Sequence, residues 1–234
     1  MVMKKIYPIL LLCLLATVSS CNMKSYTGEQ TTEKRSLDKY GKIRIEGPFD
    51  VTIDPDKKQG LTITAPSDAL ADIVSKVEDG ELALEIDNIG FMSPEIKVVI
   101  ANDRLESITV TGSGSFVGAV RTKQDLRLIV SGSGSIETEG EADKVDAVIS
   151  GSGDIRMAGM CKDLEASISG SGDMDFSNLE VTDADLSISG SGDMNVNVSG
   201  KLEASIAGSG SIDYKGTPQE VNKSITGSGG VERY

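Results

Sequence analysis

The side chains best placed to do chemistry in this sequence are carboxylates that recur at fixed positions around a repeated tripeptide. Gly-Ser-Gly begins at Gly112, Gly132, Gly151, Gly170, Gly190, Gly208 and Gly227. Five residues before successive copies stand Asp146, Glu165, Asp185 and Glu203, and three after the first Gly stand Asp154, Asp173 and Asp193. If the copies stack, each set becomes a column of like charges about 5 Å apart. Such columns hold water between them, raise one another's pKa values, or bind a cation. Calcium is the cofactor this chemistry would admit, and binding of a partner is the alternative use. The nonapeptide calcium-coil pattern differs in period and glycine placement, so the expected role of these columns is a solvated charged face.

Other chemistries are closed off by composition. The 234 residues contain no His, which removes His-based triads and His-ligated metal sites. Thirty-six Asp and Glu against 23 Lys and Arg give a formal charge of −13, unsuited to nucleic acid. Ser36 and Lys39 fit the S-x-x-K spacing of acyl-serine enzymes, but no S-D-N or K-T-G partner accompanies them. Cys161 has no base to activate it and is expected to be a small, half-buried residue.

Cys21 has a different kind of chemistry. The N-terminus carries Lys4 and Lys5, an apolar run from Ile6 to Val18, and then Ser19, Ser20 and Cys21. A basic start, a short apolar stretch and small residues before a cut site describe a secretory leader, too short to span a bilayer as a helix. Val18-Ser19-Ser20-Cys21 resembles a bacterial lipobox, which makes residues 1–20 a signal peptide and Cys21 a lipidated first residue. Loss of Lys4 and Lys5 would take the charge from −13 to −15. Residues 21–39, polar and without apolar periodicity, are expected to be a flexible tether. An ordinary leader cut near Ser20, leaving Cys21 free, is the alternative.

The elements that must carry the acidic columns follow from the repeat itself. Its intervals are 20, 19, 19, 20, 18 and 19 residues. Two residues before each first Gly stand Val110, Val130, Ile149, Ile168, Ile188, Ile206 and Ile225; four after it stand Phe116, Ile136, Ile155, Met174, Met194, Ile212 and Val231. Alternation of these apolar columns with Ser, Thr, Asp and Glu predicts two short strands flanking a corner, with one face buried. A single copy cannot bury that face alone, so the copies must stack. The predicted fold is all-β: a single-domain parallel β-helix with about 19 residues per rung, seven regular rungs over 105–234, and degenerate rungs over 40–104 that cap the first end. Right-handed winding is favoured by the crossover rule. A separate small β domain over 40–104 is the alternative. Ile43-x-Ile45-x-Gly47-Pro48-Phe49-Asp50-Val51 matches the later rungs position by position, Asp79-Gly80 reads as a hairpin turn, and Ser67–Lys76 could supply a helical turn or two. The middle serines (Ser113, Ser133, Ser152, Ser171, Ser191, Ser209, Ser228) are expected to form a hydroxyl ladder. Phe116, Phe176 and Tyr214 fall on inward positions, while Lys223 enters the inward column of the last rung as a guard against further stacking.

Repeated S-G-S-G-[DS]-[IM] rungs behind a lipobox, opened by I-x-I-x-G-P-F-D-V, resemble the head GIN domain family, which carries an auto-transporter-adhesin label and is common among lipoproteins of Bacteroidetes. The resemblance spans about residues 40–234. It implies a β-helical cell-envelope protein and brings no catalytic residues. The resulting expectation is a non-enzymatic lipoprotein held to the membrane by its N-terminal lipid and presenting a Ser- and acid-rich face to an envelope protein or glycan. Lacking an acidic run after Cys21, it is expected at the outer membrane, on the periplasmic side rather than the cell surface. A carbohydrate-active enzyme on the same scaffold and a purely structural envelope component are the competing readings.

Overall fold

A computed structural model describes residues 25–55, 60–86 and 94–234, and among them there is no helix. The predicted leader and Cys21 lie outside the described residues. The chain forms β1 (Gln30–Arg35), β2 (Lys42–Glu46), β3 (Phe49–Ile53), β4 (Leu61–Pro66), β5 (Ile73–Glu78), β6 (Glu81–Ile86), β7 (Ile96–Ile100), β8 (Ser107–Gly112) and β9 (Ser115–Arg121). It continues through β10 (Leu126–Gly132), β11 (Ser135–Gly151), β12 (Asp154–Gly170), β13 (Asp173–Gly190), β14 (Asp193–Val198), β15 (Lys201–Gly208), β16 (Ser211–Gly216), β17 (Glu220–Gly227) and β18 (Gly230–Arg233).

These strands build a β-solenoid of about seven turns spaced about 19 residues apart, as the repeat predicts. Two parallel ladders run its length. The strands before each Gly-Ser-Gly corner pair in the order β6, β2, β8, β10, then the C-terminal halves of β11, β12 and β13, then β15 and β17. The strands after the corner pair as β7, β3, β9, the N-terminal halves of β11, β12 and β13, then β14, β16 and β18. Inward columns make one continuous core. Ile149, Ile168 and Ile188 stack in register, and Phe116, Phe176 and Tyr214 are buried as expected. The one buried polar side chain among the described residues, Thr138, donates its hydroxyl to the Gly118 carbonyl at 2.8 Å.

Each corner needs its two glycines for different reasons. Gly170 has φ +139°, and a Cβ there would lie 2.1 Å from the Gly151 carbonyl oxygen. Gly172 has no unusual φ, yet its Cβ would meet the Gly153 oxygen at 2.2 Å. The first glycine thus turns the chain and both let rungs approach. Among the described residues the expected ladder of serine hydroxyls does not form, and the backbone links successive corners instead. The N–H groups of Ser133, Ser152 and Ser171 donate to the carbonyls of Gly112, Gly132 and Gly151 at 2.9, 2.8 and 2.9 Å. The hydroxyls stay exposed, and among the described residues no hydrogen bond joins one middle serine to the next. The exposed side chains leave the main chain to meet the neighbouring rung.

The first end departs from simple succession. The Gly47 rung stacks under the Gly112 rung as its sequence match implies, with Gly47 N–H donating to Thr111 at 3.1 Å and Val51 opposite Phe116. The rung formed by β6 and β7 lies on its far side, so spatial order is not chain order. Beyond it the ladders turn antiparallel: β5 pairs with β6 through the Asp79-Gly80 hairpin, whose φ values are 50° and 76°, and β4 pairs with β7. Residues 67–72 form consecutive turns instead of a helix.

The tether expected over 21–39 is corrected where the structure describes it. Residues 30–35 are strand β1, paired antiparallel with β4 from Gln30 opposite Pro66 to Arg35 opposite Leu61. Polar residues suffice there because β1 is an edge strand whose stability comes from its ladder and not from a buried face.

Candidate functional site

The outer surface before the corner brings the first acidic column together as its spacing requires: Asp146, Glu165, Asp185 and Glu203 occupy one register line across successive rungs. The lysines around this column fall outside the repeat pattern read from the sequence. Lys144 Nζ binds Glu165 at 2.6 Å and Lys201 Nζ binds Glu203 at 2.6 Å, while Arg127 Nε lies 3.2 Å from Asp146. The hydrogen bond and charge of Lys144 hold the Glu165 carboxyl below its ordinary value, and Glu165 raises Lys144 in return. The ion pair reaches diagonally between rungs, and it lowers Glu165 where an unpaired column of like charges would have raised it. Lys201 pairs with Glu203 two residues along its own strand, whereas the pairing of Lys144 with Glu165 on the next rung became legible only once strand register was known.

The second acidic set does structural work. Asp173 Oδ1 accepts the N–H of Asp193 at 3.1 Å, and Asp193 Oδ1 accepts both the N–H and the hydroxyl of Ser211, at 2.9 and 2.7 Å. Asp50 accepts the Ser115 hydroxyl at 2.7 Å in the corresponding place of the first rung. Asp154 lies in register with Asp173. Among the described residues, no group of three or more Asp, Glu, Cys or His side chains is arranged to hold a metal ion.

Beside the first acidic column lies a broad hydroxyl surface. Thr111, Ser131, Ser150, Ser169, Ser189 and Thr226 form one exposed line, interrupted by Ala207. Ser167, Ser187, Ser205 and Ser224 form a second line on the same strands. Every strand repeat therefore presents hydroxyls at a spacing of about 4.8 Å, beside charged groups. Such a face offers donors and acceptors in a fixed lattice but no activated nucleophile.

On the bend opposite the corner, Cys161 is buried against Ala142 and Val181. Burial pushes its thiol up to about 12, so it is inert at neutral pH. Neighbouring Met160 is 49% exposed. A cleft of about 800 Å³ opens nearby, lined by Arg104, Val120, Arg121, Lys123, Glu139 and Glu141 among others. Alternation alone gave no sign of it, because it arises where the β9–β10 connection overhangs the next rung.

A solenoid with an ion-paired acidic edge, a hydroxyl lattice and a buried cysteine is a β repeat scaffold. The chain belongs to the family described as "Putative auto-transporter adhesin, head GIN domain", whose model matches residues 39–218. Its fold is similar to a crystal structure described as a putative adhesin from Bacteroides fragilis NCTC 9343 (25% identity, 89% of this chain and 99% of that one, TM-score 0.71). It is also similar to one described as a putative lipid binding protein from Parabacteroides distasonis ATCC 8503 (24%, 89% and 98%, TM-score 0.72). A third, described as a putative adhesin from Parabacteroides merdae ATCC 43184, matches at 23% identity over 91% and 99%, with TM-score 0.69. No curated protein matches the chain.

Proposed function

We propose that this protein is a non-enzymatic, exported lipoprotein, anchored through Cys21 at the outer membrane on its periplasmic side, whose solenoid binds an envelope protein or glycan. The observation that carries the reading is the regular exposed lattice of Ser and Thr beside Asp146, Glu165, Asp185 and Glu203. Membership in an adhesin-labelled family supports it.

The competing reading is a carbohydrate-active enzyme on the same frame. A panel of envelope and host polysaccharides, assayed in parallel for binding and for product release, separates the two. Binding without product is the expected result, and release of shortened or unsaturated glycans overturns it. Digestion of intact cells by added protease tests the location: the protein should survive until the outer membrane is permeabilised.

A further inference from the structure

The two ends of the solenoid differ. At the last end β17 and β18 have no further rung, Ile225 is 43% exposed, and Lys223 folds over Tyr214 at 5.3 Å from the ring centroid while donating to the Val231 carbonyl at 2.6 Å. At the first end the turns over 67–72 cross the core, with Ala69 fully buried. The N-terminal segment is fastened onto those turns. Asp68 takes the N–H groups of Thr27 and Gly28 at its two oxygens, both at 3.0 Å; Tyr26 Oη donates to Asp72 at 3.0 Å; and Ser67 N–H donates to the Glu29 carbonyl at 2.9 Å. Arg35 closes the far side, donating to the carbonyls of Leu70 and Ile73 at 2.9 and 2.8 Å and to the Ser75 hydroxyl at 3.0 Å. The fit is tight enough that a Cβ on Gly28 would sit 2.5 Å from Ser67 Oγ.

We infer that residues 26–35 are a clasp that sets the orientation of the protein on its membrane, with the capped end held against the lipid surface and the β17–β18 end turned away. The inference rests on the lipid-anchor reading of Cys21. Thr27, whose N–H is the first backbone group fastened, stands six residues after Cys21. A chain of six residues reaches at most about 21 Å, against about 65 Å for the 18 residues that separate Cys21 from Lys39. The ladder from β5 to β17 is about 43 Å long at 4.8 Å per strand. A leash of at most about 21 Å keeps the cap within half the ladder's length of the bilayer, while acidic flanks are repelled from anionic lipid and disfavour lying along it. The occupant of the capped face is therefore a lipid surface, and the hydroxyl lattice projects outward along the stack.

The test uses the full-length protein, purified from membranes and reconstituted into vesicles with anionic headgroups. A fluorophore is placed at the cap (Val74→Cys) or at the far end (Ser228→Cys), each with Cys161→Ser, and energy transfer to an acceptor lipid is read. Flotation with the vesicles is scored first. Protein that fails to float overturns the anchor reading, and the orientation with it. For floating protein, transfer several-fold stronger from position 74 than from 228 is expected. Equal transfer overturns the orientation while leaving the anchor intact. Two variants address the clasp separately. Insertion of ten Gly and Ser residues between Ser25 and Tyr26 lengthens the leash without touching it, and Asp68→Ala with Gly28→Val opens it. Both should cut transfer from position 74, and an unchanged signal in the insertion variant overturns the inference even if the second variant fails to fold.

Discussion

The guanidinium of Arg35 donates to the main-chain carbonyl of Leu70 at 2.9 Å, joining an edge strand of polar residues to the turn that closes the hydrophobic core. Arg35 also reaches the carbonyl of Ile73, and its side chain is only 20% exposed. Arg35→Ala would leave partly buried carbonyls short of a donor, at a cost of about 1–3 kcal/mol. Urea unfolding should show a lower midpoint with little change in slope, and Arg35→Lys should recover only part of the loss, since an ammonium cannot span both carbonyls.

The clasp should also be acid-labile. Asp68 is held below its ordinary value mainly by the N–H of Thr27. A carboxyl whose folded pKa is depressed contributes stability that is present above its unfolded value of about 3.9 and is lost as pH falls through the lowered one. Amide exchange in residues 26–35 should therefore accelerate below about pH 4, ahead of exchange in the core strands, and Asp68→Ala should abolish that pH dependence.

The corner glycines give a second contrast. Gly170→Ala combines a positive φ with a contact of 2.1 Å to backbone, and Gly172→Ala has the contact without the φ. Each should destabilise by more than about 3 kcal/mol. Gly230→Ala, with nothing within 4 Å of the added carbon, should change thermal stability by less than about 1 kcal/mol.

Calcium should neither stabilise the protein nor release heat on titration. Glu165 and Glu203 are already paired with lysines, and Asp173 and Asp193 accept backbone N–H groups of the next rung. Differential scanning calorimetry with and without millimolar calcium checks this, and a rise in Tm of several degrees would restore a cation role for the columns.

Much of the solenoid is written in the sequence because its repeat is local. The spacing of Gly-Ser-Gly fixed the columns of Ile149, Ile168 and Ile188, and Asp79-Gly80 carried the two positive φ values of its hairpin in its residue types. The first end is less legible for a physical reason. Strands β2 and β6 pair at a constant offset of 39 residues, from Lys42 opposite Glu81 to Glu46 opposite Glu85, and no local periodicity records such a pairing. Gln30–Arg35 looks like solvated tether because it has no apolar face, and its hold on the cap comes from two separate long-range contacts, Gly28 with Asp68 and Arg35 with the Leu70 and Ile73 carbonyls. At the candidate surface the acidic columns were visible, but Lys144 as the partner of Glu165 depended on the diagonal geometry between rungs.

Attachment of this scaffold to a membrane through Cys21, as proposed, is read from the mass of the mature chain isolated from the cell envelope. That chain should begin at Cys21 and carry acyl groups and a diacylglycerol on that residue. A mature chain with an unmodified Cys21, or one cut at another position, would contradict it.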